Sequence, residues 1–214
     1  KIISKISKWN YLYQPDFIKI KVDDVINSLE NFKSKLNETE FTIISGSKTI
    51  LSNVSVLNKD LIINQKDTLD ISNLKRLFFE NNANMYIYGT LINNLDNKSI
   101  WEVKNGRSSI FIKSQSKIVF NNIDFYGFSN LMEKEKNHYL PSAITFYKTD
   151  VLIENCNFFN NLNGDDYLNF FKCNDVTVKN SHFNNVLADA IDSDFSNFIL
   201  QNSSFQNIGN DAID

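Results

Sequence analysis

Three short stretches in the second half of this 214-residue chain carry aspartates at matching places: Asn163–Phe171, Leu187–Phe195 and Gly209–Asp214. Aligned on their apolar residues Leu168, Ile191 and Ile213, they put Asp166, Asp189 and Asp211 two positions earlier. Asn169, Asp192 and Asp214 fall one position later, on the outward face, and Asp165 and Asp194 add two more acids. The tetrapeptide Asp-Ala-Ile-Asp is written twice, at 189 and at 211. An earlier stretch, Ser142–Phe146, offers Ser142 and Thr145 in the equivalent places.

Carboxylates stacked about 5 Å apart repel by ~1 kcal/mol or less per pair in water, and several-fold more where solvent is partly excluded. Ser, Thr or Asn would suit the backbone as well, so the repetition needs a reason. Three stay open. The aspartates cap backbone N–H groups at a repeated turn. Alternatively, Asp189, Asp192, Asp194, Asp211 and Asp214 supply the oxygen ligands that Ca²⁺ prefers, although no calcium-loop consensus is present. Or Asp166, Asp189 and Asp211 perform acid/base chemistry on a sugar, since adjacent carboxylates drive one pKa up and leave one acid beside one base. Members two repeats apart would be separated by about 9–10 Å, at the upper edge of the roughly 6.5–9.5 Å used by inverting glycosidases.

The elements that position these acids are repeated strands. Val151–Asn161, Val176–Val186 and Phe198–Ile208 align, with a looser copy at Ile118–Phe128. Each contains Asn-x-x-Phe: Asn122/Phe125, Asn155/Phe158, Asn180/Phe183 and Asn202/Phe205. Successive asparagines are 33, 25 and 22 residues apart, a period that points to a solenoid. Before each Asn the apolar residues alternate: Ile118/Phe120, Val151/Ile153, Val176/Val178 and Phe198/Leu200. That period of two predicts strands with one buried face. Each unit is then one coil of a parallel β-helix over 42–214. The Phe residues stack inside, and the Asn residues sit at one corner, where their amides bond backbone groups and their backbones tolerate a left-handed bend.

Residues 1–41 read differently. Apolar residues at Val22, Val25, Ile26, Leu29, Phe32 and Leu36 make a 3.6-residue stripe, so an amphipathic helix over about 22–37 is expected to cap the first coil. The segment Phe128–Ser142, which carries His138 and Pro141 and whose lysines and glutamates cancel, is expected to bulge from one coil as a loop. Trp9, Tyr11 and Tyr13 anchor a terminal strand or form a sugar-stacking platform. Nothing after Asp214 covers Phe205 and Ile213, so the chain is expected to be a fragment whose coils and acidic ladder continue.

Composition narrows the partners. A net charge of −3 argues against nucleic acid, which calls for a basic surface. No apolar run reaches the ~18 residues of a membrane span. No leader peptide is visible, and Lys1 in place of Met leaves room for one already removed. Cys156 and Cys173 fall on different sides of the coil and are expected to be two free thiols.

Phe78–Ile92, a strand, an Asn turn and a second strand ending Gly-Thr-Leu-Ile, resembles the unit of right-handed parallel β-helix proteins of the pectate-lyase-like type. That resemblance implies an all-β solenoid over roughly 42–214. Gly164–Phe170 is similar to the Gly-Asp-Asp strand of polygalacturonases, which implies acid/base roles for Asp165 and Asp166. The Asn-Thr-Asp, Gly-His-Gly and Arg-Ile-Lys motifs of that family have no counterpart here, and no Arg follows Arg107 to serve as a lyase base. The coils from Ala143 to Asp214 most resemble uncharacterised secreted bacterial β-helix proteins. This implies an extracellular or cell-surface setting, further domains in a longer chain and a polysaccharide partner. The expectation is a glycan-binding β-helix module, with a glycan hydrolase or lyase and a non-catalytic stalk as alternatives. No cofactor is implied beyond calcium.

Overall fold

The computed structural model describes residues 42–44, 48–133, 138–161 and 163–214. Among them every regular element is a strand, so the expected parallel β-helix forms. The capping helix expected over about 22–37, and Trp9, Tyr11 and Tyr13, lie outside the described residues. No helix among the described residues is long and apolar enough to cross a membrane.

Three sheets make the walls of the solenoid, with strands numbered in chain order. The first holds seven: β1 (Thr42–Ile44), β3 (Leu61–Ile63), β5 (Met85–Ile87), β8 (Ile110–Ile112), β13 (Ile144–Tyr147), β16 (Asp166–Phe171) and β19 (Asp189–Asp194). The second runs β2 (Lys48–Leu57), β4 (Thr68–Phe79), β7 (Ser99–Val103), β10 (Ile123–Tyr126), β15 (Asn157–Asn161), β18 (His182–Val186) and β21 (Ser204–Ile208), with β6 (Thr90–Ile92) also on β4. The third holds β9 (Ile118–Asn121), β14 (Val151–Glu154), β17 (Val176–Lys179) and β20 (Phe198–Gln201). The pairings along all three are parallel. A coil such as β16–β17–β18 visits the first, third and second sheets in turn before β19 begins the next.

Register follows the repeat. Trp101 and Phe125 are partners, and the column continues through Phe158, Phe183 and Phe205. Phe125 and Phe158 stack at 5.0 Å with planes 3° apart, Phe158 and Phe183 at 4.6 Å, and Phe183 and Phe205 at 5.0 Å. Each such ring pair contributes about 0.5–1.5 kcal/mol beyond the area it buries.

The corners are made at residues with a left-handed backbone, most of them asparagines. Asn122, Asn155, Asn180 and Asn202 have φ of 58°, 53°, 50° and 47°. Backbone shape is their shared feature, since their amides bond differently. Asn122 donates to the Leu95 carbonyl, whereas Asn155 donates to the Asn121 side chain. A second left-handed column, Asn160, Asn185 and Asn207, turns the chain out of the second sheet, and a third is formed by Lys148, Lys172 and Phe195.

Residues 37–131 with 141–214 form one compact unit, which contains the solenoid. Of the described residues, 132–133 and 138–140 fall outside that unit. In the segment between β10 and β13, β11 (Leu131–Glu133) and β12 (His138–Leu140) pair as a two-stranded sheet. Where the sequence leads one to expect a loop, the structure pairs two short strands instead; the inserted residues account for the longest repeat spacing.

Candidate functional site: the acidic face of the first sheet

The aspartates gather where the chain enters the first sheet. In β16, Leu168 and Phe170 join the core, so Asn169 and Phe171 point the other way. Tyr167 also turns inward, and its hydroxyl donates to the carbonyls of Phe125 and Phe159 at 3.2 and 3.3 Å. Two successive inward residues break the alternation, and Asp166 at the head of the strand is buried as well. The register matches the sequence alignment: Asp166 opposite Asp189, Leu168 opposite Ile191, Asn169 opposite Asp192, and Thr145 before Asn169.

The turn ahead of Asp166 is held from below. Asn161, wholly buried, donates from Nδ2 to the Asp166 carbonyl at 2.9 Å and accepts the Asn163 N–H on Oδ1. Gly164 has φ +108°, and a Cβ there would come 2.6 Å from the Pro141 carbonyl oxygen and 3.0 Å from Asn130 Cβ, so only glycine fits. The Asp165 N–H donates to the same Pro141 carbonyl. This closed turn leaves the Asp165 side chain exposed beside the buried Asp166.

The three carboxylates Asp165, Asp166 and Asp189 each bring an oxygen within 4.8 Å of the others. Ser142 Oγ donates to Asp166 Oδ2 at 2.7 Å. Burial pushes Asp166 up to about 7; the Ser142 hydrogen bond opposes the rise, while the charges of Asp165, Asp189 and Asp194 add to it. Burial also raises Asp192 to about 8, helped by Asp194, Asp166 and Asp214 and opposed by Asn169. Asn169 Nδ2 lies between Asp192 Oδ2 at 2.9 Å and Asp194 Oδ2 at 3.4 Å. Asp214 is raised as well, by burial and then by Asp189, Asp211 and Asp194.

Asp189 does a different job. Its Oδ1 accepts the Asp211 N–H and the Asn210 amide, both at 2.8 Å, which is a turn cap made across coils. The first of the three readings therefore describes Asp189. It does not describe Asp166 or Asp192, whose described side-chain bonds go to Ser142 and Asn169. Asp211 and Asp214 are exposed on the last turn, where the Asp214 N–H donates to the Ile191 carbonyl.

For a cation, the oxygens that converge are those of Asp165, Asp166 and Asp189. Of the five residues singled out in sequence for calcium, Asp189 belongs to this group. Asp192 and Asp194 meet instead at Asn169. His182 sits on β18 of the second sheet, its Nδ1 2.8 Å from Ser204 Oγ, on a different wall from the aspartates.

Sequence reasoning missed two contributors, Asn161 and the second asparagine column. The signal was present, because Asn160, Asn185 and Asn207 each follow the repeat's Phe by two residues.

The described strands define a parallel β-helix solenoid whose first sheet carries aspartates in register, Asp166 opposite Asp189. No protein-family model, no curated protein and no solved structure matches this chain.

Proposed function

We propose that the chain is a right-handed, pectate-lyase-like β-helix module of the bacterial cell surface or extracellular space, which binds a polysaccharide along its acidic, Asn-rich face. The observation that carries the reading is the grouping of Asp165, Asp166 and Asp189, with Asp166 raised to about 7. A protonated carboxyl beside other carboxylates offers both a donor and acceptors to sugar hydroxyls. It also meets the requirement for general acid/base catalysis, a pKa near working pH. The hydrolase or lyase form of the reading assigns proton transfer to Asp166, with Asp165, Asp189 and Asp211 as its partners. The test is to incubate the chain with a panel of neutral and uronate polysaccharides, following both retention and release of reducing or unsaturated ends. Retention weakened in Asp166→Asn supports binding, and product release abolished in the same variant supports catalysis. A chain that neither retains nor cleaves any member is a stalk.

A second reading draws on the same oxygens. Three carboxylates within 4.8 Å suit a hard divalent cation, which would have to displace the Asp166 proton. Calcium would then raise the melting temperature more at pH 8 than at pH 6. Equal melting temperatures in calcium and in chelator at both pH values would reject a saturable site.

A further inference from the structure

The second asparagine column borders an open groove of about 420 Å³, within the roughly 300–1,000 Å³ typical of ligand clefts. Its lining comes from three successive coils and includes Asn160, Asn185, Asn207, Val186, Leu187 and Ile208. Among the described residues that line it, none is ionisable.

One glycine borders the groove's apolar strip. Val186 is opposite Ile208, which places Leu187 opposite Gly209. A Cβ on Gly209 would come 1.8 Å from the Leu187 carbonyl oxygen, so no side chain can stand there. Leu187 is left 55% exposed.

The polar side is an ordered amide ladder. Asn185 Nδ2 donates to Asn160 Oδ1 at 3.2 Å, and Asn207 Nδ2 donates to Asn185 Oδ1 at 3.0 Å. Left-handed φ values of 59°, 57° and 54° give the three residues the same backbone shape. Asn207 Nδ2 also donates to Asn184 Oδ1 at 3.3 Å, so its spare capacity lies on its oxygen, whereas Asn185 keeps one N–H and one acceptor site and Asn160 keeps its N–H groups and one acceptor site. The rungs repeat every ~4.8 Å, the spacing of neighbouring strands. Their mutual bonds fix them in advance, which lowers the ordering cost of binding.

We propose that this groove is a subsite for an uncharged glycan chain lying along the solenoid axis. Sugar hydroxyls pair with the free amide capacity of Asn160, Asn185 and Asn207, and the C–H face of a ring rests on Leu187. A charge-free lining offers no counter-ion for a phosphate or uronate and no electrostatic penalty for a neutral ring. The groove also leads to the acids. Leu187 and Gly209 are two residues before Asp189 and Asp211, and the Asp189 N–H is bonded to the Asp165 carbonyl. The inference rests on the polysaccharide reading and adds to it a place and a charge class.

The test is affinity electrophoresis of the whole 214-residue chain in gels containing galactomannan, hydroxyethylcellulose or polygalacturonate. Leu187→Asp puts a charge on the exposed strip, and Asn185→Gly removes one amide while tolerating the left-handed backbone. Retardation by a neutral polymer, weakened about tenfold in Leu187→Asp and less in Asn185→Gly, is the expected result. Circular dichroism that matches the parent checks that both variants fold, and Asn185→Gly keeps the test open if Leu187→Asp does not. Retardation by a neutral polymer that is unchanged in the folded variants overturns the site. Retardation by polygalacturonate alone, unchanged in Leu187→Asp, overturns the groove and leaves the polysaccharide reading standing. No retardation by any of the three polymers overturns both.

Discussion

Asp189 Oδ1 accepts the backbone N–H of Asp211 at 2.8 Å, so the first Asp-Ala-Ile-Asp motif holds the second in place. The acceptor is an oxygen that asparagine also has. Asp189→Asn is therefore expected to leave thermal stability nearly unchanged. Asp189→Ala loses the cap and the Asn210 contact, at a cost of about 1 kcal/mol per bond. Thermal melts of the two variants check this, and equal losses in both would show that charge, not capping, matters at this position.

Stability should fall as pH rises across the neutral range. Burial raises Asp166 to about 7 and Asp192 to about 8. An unfolded aspartate releases its proton near ~4, so between there and the folded values the native chain binds more protons than the unfolded one. The melting temperature is expected to be higher at pH 5 than at pH 8.5, with most of the fall complete by the upper value. Asp166→Asn and Asp192→Asn should each flatten that slope and gain stability at the alkaline end. A melting temperature that climbs from pH 5 to pH 8.5 would contradict the burial of these carboxyls.

Asn180 has φ of 50° at its corner. Asn180→Ala puts an ordinary L residue into the left-handed region, at about 1–2 kcal/mol. Asn180→Gly relieves that strain and is expected to recover most of the loss, less the extra freedom glycine gives the unfolded chain. Urea midpoints for the pair measure the difference, and two equal values would make the amide's contacts, not its backbone, the important feature.

Both thiols are buried and free. Burial pushes Cys156 up to about 12 and also raises Cys173. Their Sγ atoms approach carbonyl oxygens, Phe120 at 3.5 Å and Phe146 at 3.5 Å. Native protein should resist a thiol reagent at pH 8, and denatured, unreduced protein should titrate two thiols. Rapid labelling of the native form would place one of them outside the core.

The walls of the solenoid were legible in the chain because a period of two and a recurring Asn-x-x-Phe depend only on local order. Strand pairing then follows from stacking like on like, as the column from Phe125 to Phe205 shows. The alignment of Asp166 with Asp189 and of Asn169 with Asp192 was equally local and came out in the same register. What each acid does was a tertiary matter. Asp165, Asp166 and Asp189 share a residue type, yet one is exposed, one is buried against Ser142, and one caps the next coil. Those differences accompany Tyr167 turning inward and Gly164 fitting against Pro141 and Asn130, the latter two contacts joining residues more than twenty positions apart. Burial, which sets the protonation of Asp166, is a property of the packed face and has no counterpart in any single repeat.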